Sequence, residues 1–119
     1  MRIESAGHYV ELHLAARFGG EEFVLLFGET GHDAACAIGE AIRAHIESLT
    51  IPNPRSTTSP WLTASLGVST IVPTQRDDIK EFFVSADRAM YAAKEAGRNG
   101  MRAVQTGATL AVIQAALQS

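Results

Sequence analysis

Two glycines followed by two glutamates occupy residues 19–22, between an alternating run and a wholly apolar run. Glycine leaves the backbone without side-chain bulk, so a phosphate or a base can approach it closely. Adjacent carboxylates can supply ligands to Mg²⁺, which proteins commonly hold with one or two carboxylates and the phosphates of a substrate. The same four residues also suit a plain turn with solvated glutamates. Taken alone, this cluster leaves both interpretations open.

A second cluster contains Lys94 and Arg98, with Asn99 directly after them. Residues four positions apart lie on one face of a helix. Two cations on that face can hold a polyphosphate, arginine through paired hydrogen bonds and lysine as a point charge. The alternative is that both cations only complement the negative end of the helix dipole.

The first cluster is predicted to form the tip of a β-hairpin. Residues 9–18 alternate strictly, which is typical of a half-buried strand. The glycines between this strand and the apolar run at residues 23–27 favour a hairpin connection. The side chains expected on one face of the first strand are Val10, Leu12, Leu14, Ala16 and Phe18.

Two helices are predicted from apolar stripes with helical spacing. The first covers residues 33–49, with Asp33 as its N-cap. The second begins at Asp77 or Asp78, and Gly97 ends it in the C′ position. The stripes consist of Ala35, Ile38, Ile42, Ile46 and Leu49 in the first helix, and of Ile79, Phe82, Phe83, Ala86, Met90 and Ala93 in the second.

The remaining elements complete an α/β (α+β) fold with a mixed sheet. A strand is predicted at residues 62–72, where an interior Gly67 indicates a bulge or a close backbone approach. A short edge strand follows at residues 101–104, and a third amphipathic helix follows residue 106. The predicted order is β-β-α-β-α-β plus a C-terminal helix. The apolar side of that last helix consists of Leu110, Ile113 and Leu117.

Composition limits the classes of function. The 119 residues predict one domain, and 10 Lys plus Arg against 13 Asp plus Glu leave a net charge of −3. That balance argues against nucleic-acid binding, and Trp61, Phe82 and Phe83 are expected in the core, not as base-stacking platforms. The single cysteine, Cys36, fits a reducing compartment and a structural role in a helix. The first residues contain no secretory pattern, and no apolar run could span a bilayer, so a cytoplasmic protein with no membrane partner is predicted.

Three segments together resemble the GGDEF family of diguanylate cyclases. Residues 17–23, RFGGEEF, resemble its signature hairpin, and residues 86–99, ADRAMYAAKEAGRN, resemble its second signature helix. Between them, residues 63–68, TASLGV, resemble the family's T-x-S-x-G strand. The resemblance identifies residues 14–104 as a partial GGDEF domain. Its flanks are an unrelated segment at residues 1–13, strand-like from residue 9, and the C-terminal amphipathic helix at residues 105–119.

The resemblance implies roles for the hairpin residues that match. Glu21 corresponds to the catalytic carboxylate linked to the metal, and Glu22 corresponds to the second acidic position, which also binds metal. Gly19 and Gly20 correspond to the glycines that let GTP lie over the hairpin.

The same resemblance implies that Lys94 and Arg98 hold the terminal phosphates of that GTP. In the family, two domains face each other, each with one GTP, and use Mg²⁺ or Mn²⁺. Each 3′ hydroxyl attacks the α-phosphate of the partner's GTP, which produces cyclic di-GMP and pyrophosphate. The metal neutralises charge on phosphate oxygens and helps to activate the hydroxyl.

The N-terminal part of the family's pattern is not matched. A complete member begins with a strand bearing a metal-binding Asp and continues with helices that recognise guanine, and residues 1–13 match neither. The expectation is therefore a diguanylate-cyclase-like domain with an incomplete catalytic set, impaired in converting two GTP to cyclic di-GMP. The alternatives are a module that still binds GTP or cyclic di-GMP, and an inactive oligomeric scaffold.

The missing first strand would leave a sheet edge and an apolar face that need cover. The strand from residue 9 is expected to extend the sheet or to exchange with a second copy. The tail helix is expected to pack over the bare face. Either route, or both through a homodimer, would supply this cover, and a homo-oligomer with strand exchange as one form is predicted.

Overall fold

The computed structural model describes residues 2–5, 7–54, 56, 59–72, 76–105 and 110–118. The elements in chain order are β1 (Arg2–Ser5), β2 (His8–Phe18), β3 (Glu22–Gly28), α1 (His32–Ser48), β4 (Thr63–Ile71), α2 (Arg76–Glu95), β5 (Gly100–Gln105) and β6 (Leu110–Gln118).

Within these residues the strands form one mixed sheet with the order β1-β2-β3-β6-β4-β5. β4 and β5 run parallel, whereas the other neighbouring strands are antiparallel. α1 packs on one face of the sheet and α2 on the other, both against β4, β5 and β6. The predicted α/β (α+β) class, the hairpin and the edge position of β5 are confirmed. β1 lies at the opposite edge and is an addition to the predicted order.

The predicted C-terminal helix is wrong, because residues 110–118 form β6 in the centre of the sheet. β6 pairs with β3 on one side and with β4 on the other. Leu110, Ile113 and Leu117 have helical spacing, but residues 111–116 are all buried. A strand that is covered on both faces has a nearly continuous apolar run, which periodicity cannot distinguish from a buried helix. The tail therefore does not lie over the sheet but completes it.

A β-bulge divides β2 between the two faces of the sheet. The register of β2 with β3 shifts between Leu12 and Leu14. Val10 and Leu12 consequently join the core on the α1 face, while Leu14 and Phe18 lie on the α2 face and are 47% and 56% exposed. The predicted single apolar face of this strand is wrong, because one extra residue reverses the two-residue alternation.

α1 carries the predicted apolar stripe up to Ile46, with Ala35 and Ile38 fully buried, whereas Leu49 is the C-cap and is 49% exposed. Its N-cap is Gly31, which has no side chain to bond the first turn. Asp33, expected as the N-cap, lies inside the first turn, where its charge complements the helix dipole. In α2, Phe82, Ala86, Met90 and Ala93 form the buried stripe, whereas Ile79 is exposed.

Cys36 is half-buried in α1. Burial raises the pKa of its thiol, and the neighbouring Asp33 raises it further. A thiol in that state is a poor nucleophile, which agrees with the structural role expected from the sequence.

Trp61 is not a core residue, contrary to the expectation from the sequence. It stands in the loop before β4, bridges to Pro52, and is 41% exposed. Phe82 is fully buried as expected, and its ring packs against that of Phe83 at 5.3 Å between centroids. Among the described helices, none is long and apolar enough to cross a membrane.

Gly67 allows α2 to lie directly on β4. A Cβ atom at this position would stand 2.0 Å from the carbonyl oxygen of Ala86 and 2.3 Å from the amide nitrogen of Met90. Both atoms belong to the backbone of α2, so the helix would have to move. The close backbone approach predicted at Gly67 is confirmed.

Replacing Gly67 with alanine is expected to lower the free energy of unfolding by about 1–3 kcal/mol or more, because the added methyl group overpacks a helix–strand contact. Urea denaturation measures the change. The control is Gly20→Ala, where a Cβ would meet no atom within 4 Å. Equal effects of the two substitutions would contradict the packing of α2 on β4.

The central position of β6 predicts that substitutions in this strand reduce stability strongly. Ile113 is 0% exposed and belongs to the core on the α1 face, so Ile113→Ala is expected to cost about 2–5 kcal/mol. Leu14→Ala, at a half-exposed strand position, is expected to cost less than about 1 kcal/mol. Urea denaturation of both variants distinguishes a central strand from a loosely attached tail, for which the two costs would be similar.

Candidate functional site

The hairpin tip is a turn at residues 19–21 that joins β2 to β3. Gly19 has a φ of 66°, a left-handed conformation that favours glycine. A Cβ on Gly19 or Gly20 would meet no atom within 4 Å, so the space above the tip is open. The guanidinium of Arg17 donates to the Gly20 carbonyl at 3.1 Å, and the amide of Leu117 in β6 donates to the Glu21 carbonyl at 2.9 Å. The tip backbone is thus held by both β2 and β6.

The two carboxylates of the tip have different surroundings. Glu21 lies in the turn and is exposed, whereas Glu22 is the first residue of β3 and is half-buried. Glu22 has the same position in the strand alternation as Val24, which packs in the core on the α2 face. Its side chain therefore lies on the α2 face of the sheet.

The second cluster lies where α2 ends and β5 begins. Gly97 has a φ of 120°, and the two residues after it, Arg98 and Asn99, also have positive φ values of 63° and 45°. The amide of Arg98 donates to the carbonyl oxygens of Ala93 and Lys94 at 3.1 and 3.2 Å. These bonds close the end of the helix and carry Arg98 back over its last turn.

Lys94 and Arg98 both have charge available for a ligand. Nζ of Lys94 lies 4.7 Å from the centroid of the Tyr91 ring. In the part of the chain that the structure describes, neither cation has a carboxylate within ion-pair distance. An anion at this end of α2 would therefore not have to displace a protein carboxylate.

The strand register brings the two clusters to the same end of the sheet. Glu22 pairs with Ala116, Ala116 pairs with Ser65, and Ser65 pairs with Gly100. We call these four residues the tip row. Since neighbouring strands are about 4.8 Å apart, Glu22 lies about 14 Å from the start of β5. That distance is comparable to the length of an extended nucleoside triphosphate, but Ser65 and Ala116 between the two clusters are buried, so a ligand would have to pass the end of the sheet.

Asn99 connects the second cluster to α1. Its Oδ1 accepts a hydrogen bond of 2.8 Å from Nη1 of Arg43, and its Nδ2 donates one of 2.6 Å to Glu47. Arg43 also donates to Glu47 at 3.2 Å, and its Nε donates to both carboxylate oxygens of Glu40 at 2.9 and 3.1 Å. Hydrogen bonding to Arg43 holds the pKa of Glu40 below its ordinary value, and hydrogen bonding to Glu40 raises the pKa of Arg43.

Known proteins resemble this chain in sequence. The family model described as "Diguanylate cyclase, GGDEF domain" matches residues 5–100. The chain belongs to the GGDEF family. No solved structure matches it significantly.

Curated relatives of this GGDEF domain carry the same family name. It is 41% identical over 88 residues to the probable diguanylate cyclase DgcT of Escherichia coli K12, which covers 72% of this chain and 19% of that protein. Diguanylate cyclase A of Treponema denticola is 36% identical over 85 residues, covering 71% of this chain and 22% of the relative. Diguanylate cyclase VdcA of Vibrio cholerae is 37% identical over 86 residues, covering 71% and 25%. The chain thus spans about a fifth to a quarter of these relatives. The predicted domain boundaries and site roles stay predictions.

The tip of this GGDEF domain does not fit a metal ion held by the protein alone. Residues 21 and 22 are consecutive, and only Glu22 is fixed on the α2 face. The neighbour of Glu22 in the tip row is Ala116, so a methyl group stands where a second carboxylate could face Glu22. The described residues contain no group of three or more His, Cys, Asp or Glu side chains that could hold a metal. No reaction step is therefore assigned to a metal in this domain.

Two side chains near the site have no clear signal in the sequence. Arg43 stands with Glu40 and Glu47 at spacings typical of ion pairs on a solvated helix face, and only the fold shows its contact with Asn99. Arg17 belongs to the signature hairpin, but its bond to the tip carbonyl depends on the turn.

The Arg43 pairing predicts a pH dependence of stability. A carboxyl whose pKa is lowered in the folded state stabilises the fold above its unfolded pKa, about 4.3 for Glu, and this contribution is lost as the pH falls through the lower folded value. Wild type is therefore expected to exceed Glu40→Gln in urea midpoint at pH 7 and to approach it near pH 3. The control is Glu81→Gln, which removes an exposed pairing of 3.9 Å with Arg88. Parallel curves for wild type and Glu40→Gln over this range would count against the Arg43–Glu40 bond.

Proposed function

We propose that this GGDEF domain binds GTP at the end of the sheet that carries the tip row, and that it is impaired in converting GTP to cyclic di-GMP. The triphosphate lies against Lys94 and Arg98, and the nucleoside lies over Gly19 and Gly20. The observation that supports the proposal is the tip row, because its register brings both clusters to one end of the sheet. The proposal places the domain in the cytoplasm, where GTP is available.

The phosphate side of the proposal is supported by charge. Lys94 and Arg98 project from the last turn of α2 and from the residue that closes it, and no carboxylate among the described residues neutralises them. Arginine binds phosphate oxygens in pairs, while lysine adds a point charge. The nucleoside side is supported by the open space above the two glycines.

Impaired turnover is supported by β6. In the reaction that the resemblance to the family implies, each 3′ hydroxyl attacks the α-phosphate of the partner's GTP and pyrophosphate leaves. A metal that assists this step needs ligands beside the tip, with oxygen donors preferred by Mg²⁺. β6 instead presents Ala115, Ala116 and Leu117 there, and none of these side chains can bind a metal.

A second candidate function is an oligomeric scaffold. Leu14 and Phe18 are exposed on the α2 face of β2, and β1 and β5 are edge strands. Exposed apolar side chains beside an open strand edge are where a second copy would add to the sheet. This candidate predicts a homodimer whose formation does not depend on GTP.

GTP binding is tested by isothermal titration calorimetry with Mg²⁺ present. Lys94→Ala and Arg98→Ala are each expected to weaken GTP binding about tenfold to a hundredfold, the effect of losing a hydrogen bond to a charged group. Arg88→Ala is the matched control, since it removes a cation from the exposed part of the same helix. Wild-type affinity in both site variants, or no binding by the wild type, would contradict the proposal.

Turnover is measured separately, by mass-spectrometric detection of cyclic di-GMP after incubation with GTP and Mg²⁺ or Mn²⁺. Little or no product is expected. Efficient formation of product that Glu21→Ala abolishes would show that the domain is a working cyclase. Analytical ultracentrifugation without nucleotide then tests the scaffold candidate, for which a monomer would be the contrary result.

A further inference from the structure

We propose that Asn99 is a positioning residue: held by Arg43 and Glu47 of α1, it fixes the left-handed turn at residues 98–99 and so sets the direction of Arg98 toward the triphosphate. This inference rests on the proposed GTP binding. It concerns three residues, Arg43, Glu47 and Asn99, which we call the α1 clamp.

The turn that the α1 clamp holds has an unusual backbone. Arg98 and Asn99 have consecutive φ values of 63° and 45°. Asparagine adopts this region more readily than most residues, but arginine has no such preference. Conformations of this kind persist only where the surrounding structure over-determines them, and they occur most often at functional sites.

The clamp uses both ends of the Asn99 amide. The oxygen accepts from Arg43 at 2.8 Å and the nitrogen donates to Glu47 at 2.6 Å, while Arg43 also donates to Glu47 at 3.2 Å. The three side chains therefore form a closed ring of hydrogen bonds. Aspartate has the same shape but lacks the N–H that Glu47 requires, and glutamine is one methylene longer.

Arg43 is in turn fixed on α1. Its side chain is 17% exposed, and its Nε and Nη2 donate to the carboxylate of Glu40, Nη2 at 2.5 Å. This paired contact holds the plane of the guanidinium. The α1 clamp thus holds the turn after α2 in a fixed position relative to α1. α1 packs on the opposite face of the sheet from α2.

Arg98 stands between two fixed points. On its N-terminal side its amide bonds to Ala93 and Lys94, and on its C-terminal side the clamp holds Asn99, followed by Gly100 paired with Ser65. Its own side chain makes no ion pair among the described residues. An arginine that binds phosphate benefits from a backbone that is already held in place and from a guanidinium without a carboxylate partner. Less conformational freedom is then lost when the ligand binds.

The alternative is that the clamp only fastens α1 to the α2–β5 turn. That role predicts a loss of stability without a specific link to Arg98. The two roles differ in a double-mutant cycle, because residues that act through one another have non-additive effects.

The test is the GTP affinity of Asn99→Gly in the full chain, by calorimetry, with urea denaturation to show that each variant is folded. Glycine adopts a φ of 45° without strain, so this variant removes the clamp bonds and leaves the turn accessible. We expect GTP binding to weaken about tenfold, within the range for residues that share one hydrogen-bonded network. In the Arg98→Ala background, Asn99→Gly is expected to change the affinity less than twofold.

A second variant keeps the test decisive if Asn99→Gly does not fold. Arg43→Lys retains the positive charge but cannot reproduce the paired contacts, and we expect the same weakening and the same dependence on Arg98. Wild-type affinity in the single variants, or an equal loss with and without Arg98, would overturn the inference and leave the proposed function standing. Failure of the wild-type chain to bind GTP would overturn both.

Discussion

Hydrogen bonding on both sides of β6 holds this fold together, because β6 is the only connection between the two halves of the described sheet. On one side β6 pairs with β3 from Glu22 to Gly28, and on the other it pairs with β4 from Thr63 to Ile71. Without it, the hairpin of β2 and β3 would have no strand contact with β4 and β5. Six consecutive buried residues, 111–116, fill both faces of this position. The same strand determines what stands beside the hairpin tip.

The chemistry of the site follows from that position. β6 brings the tip and the end of α2 into one row, and it holds the tip backbone through the bond from Leu117 to Glu21. It contributes no charged side chain at that end. Among the described residues, this end of the sheet has one carboxylate on the α2 face, two cations without a carboxylate partner and an open glycine turn. Such a surface suits phosphate binding, since arginine and lysine both bind phosphate oxygens.

The network around Arg43 connects α1 to the turn that carries Arg98. Arg43, Glu40 and Glu47 lie on α1, and their hydrogen bonds reach the strained turn that begins β5 through one asparagine. A contact of this kind has two consequences, since it stabilises the packing of α1 and restricts the backbone next to Arg98. Because both consequences arise from the same bonds, only coupling between variants separates them.

The family, the mixed α/β class, the hairpin, both helices and the two clusters of candidate residues were predictable from local patterns in the sequence. These features depend on local signals: glycine pairs, helical stripes at residues 35–46 and 82–93, and motifs in the family's order. The central strand at residues 110–118 was not predictable in this way, because an apolar run that is covered on both faces is compatible with a helix and with a strand, and its pairing with β3 and β4 selects the strand. The bulge in β2 was not predictable either. The residue types at positions 9–18 alternate without a break in the sequence, and the extra residue is visible only in the pairing of β2 with β3. The contact of Arg43 with Asn99 joins residues 56 positions apart, and no local pattern of charges specifies a partner at that distance.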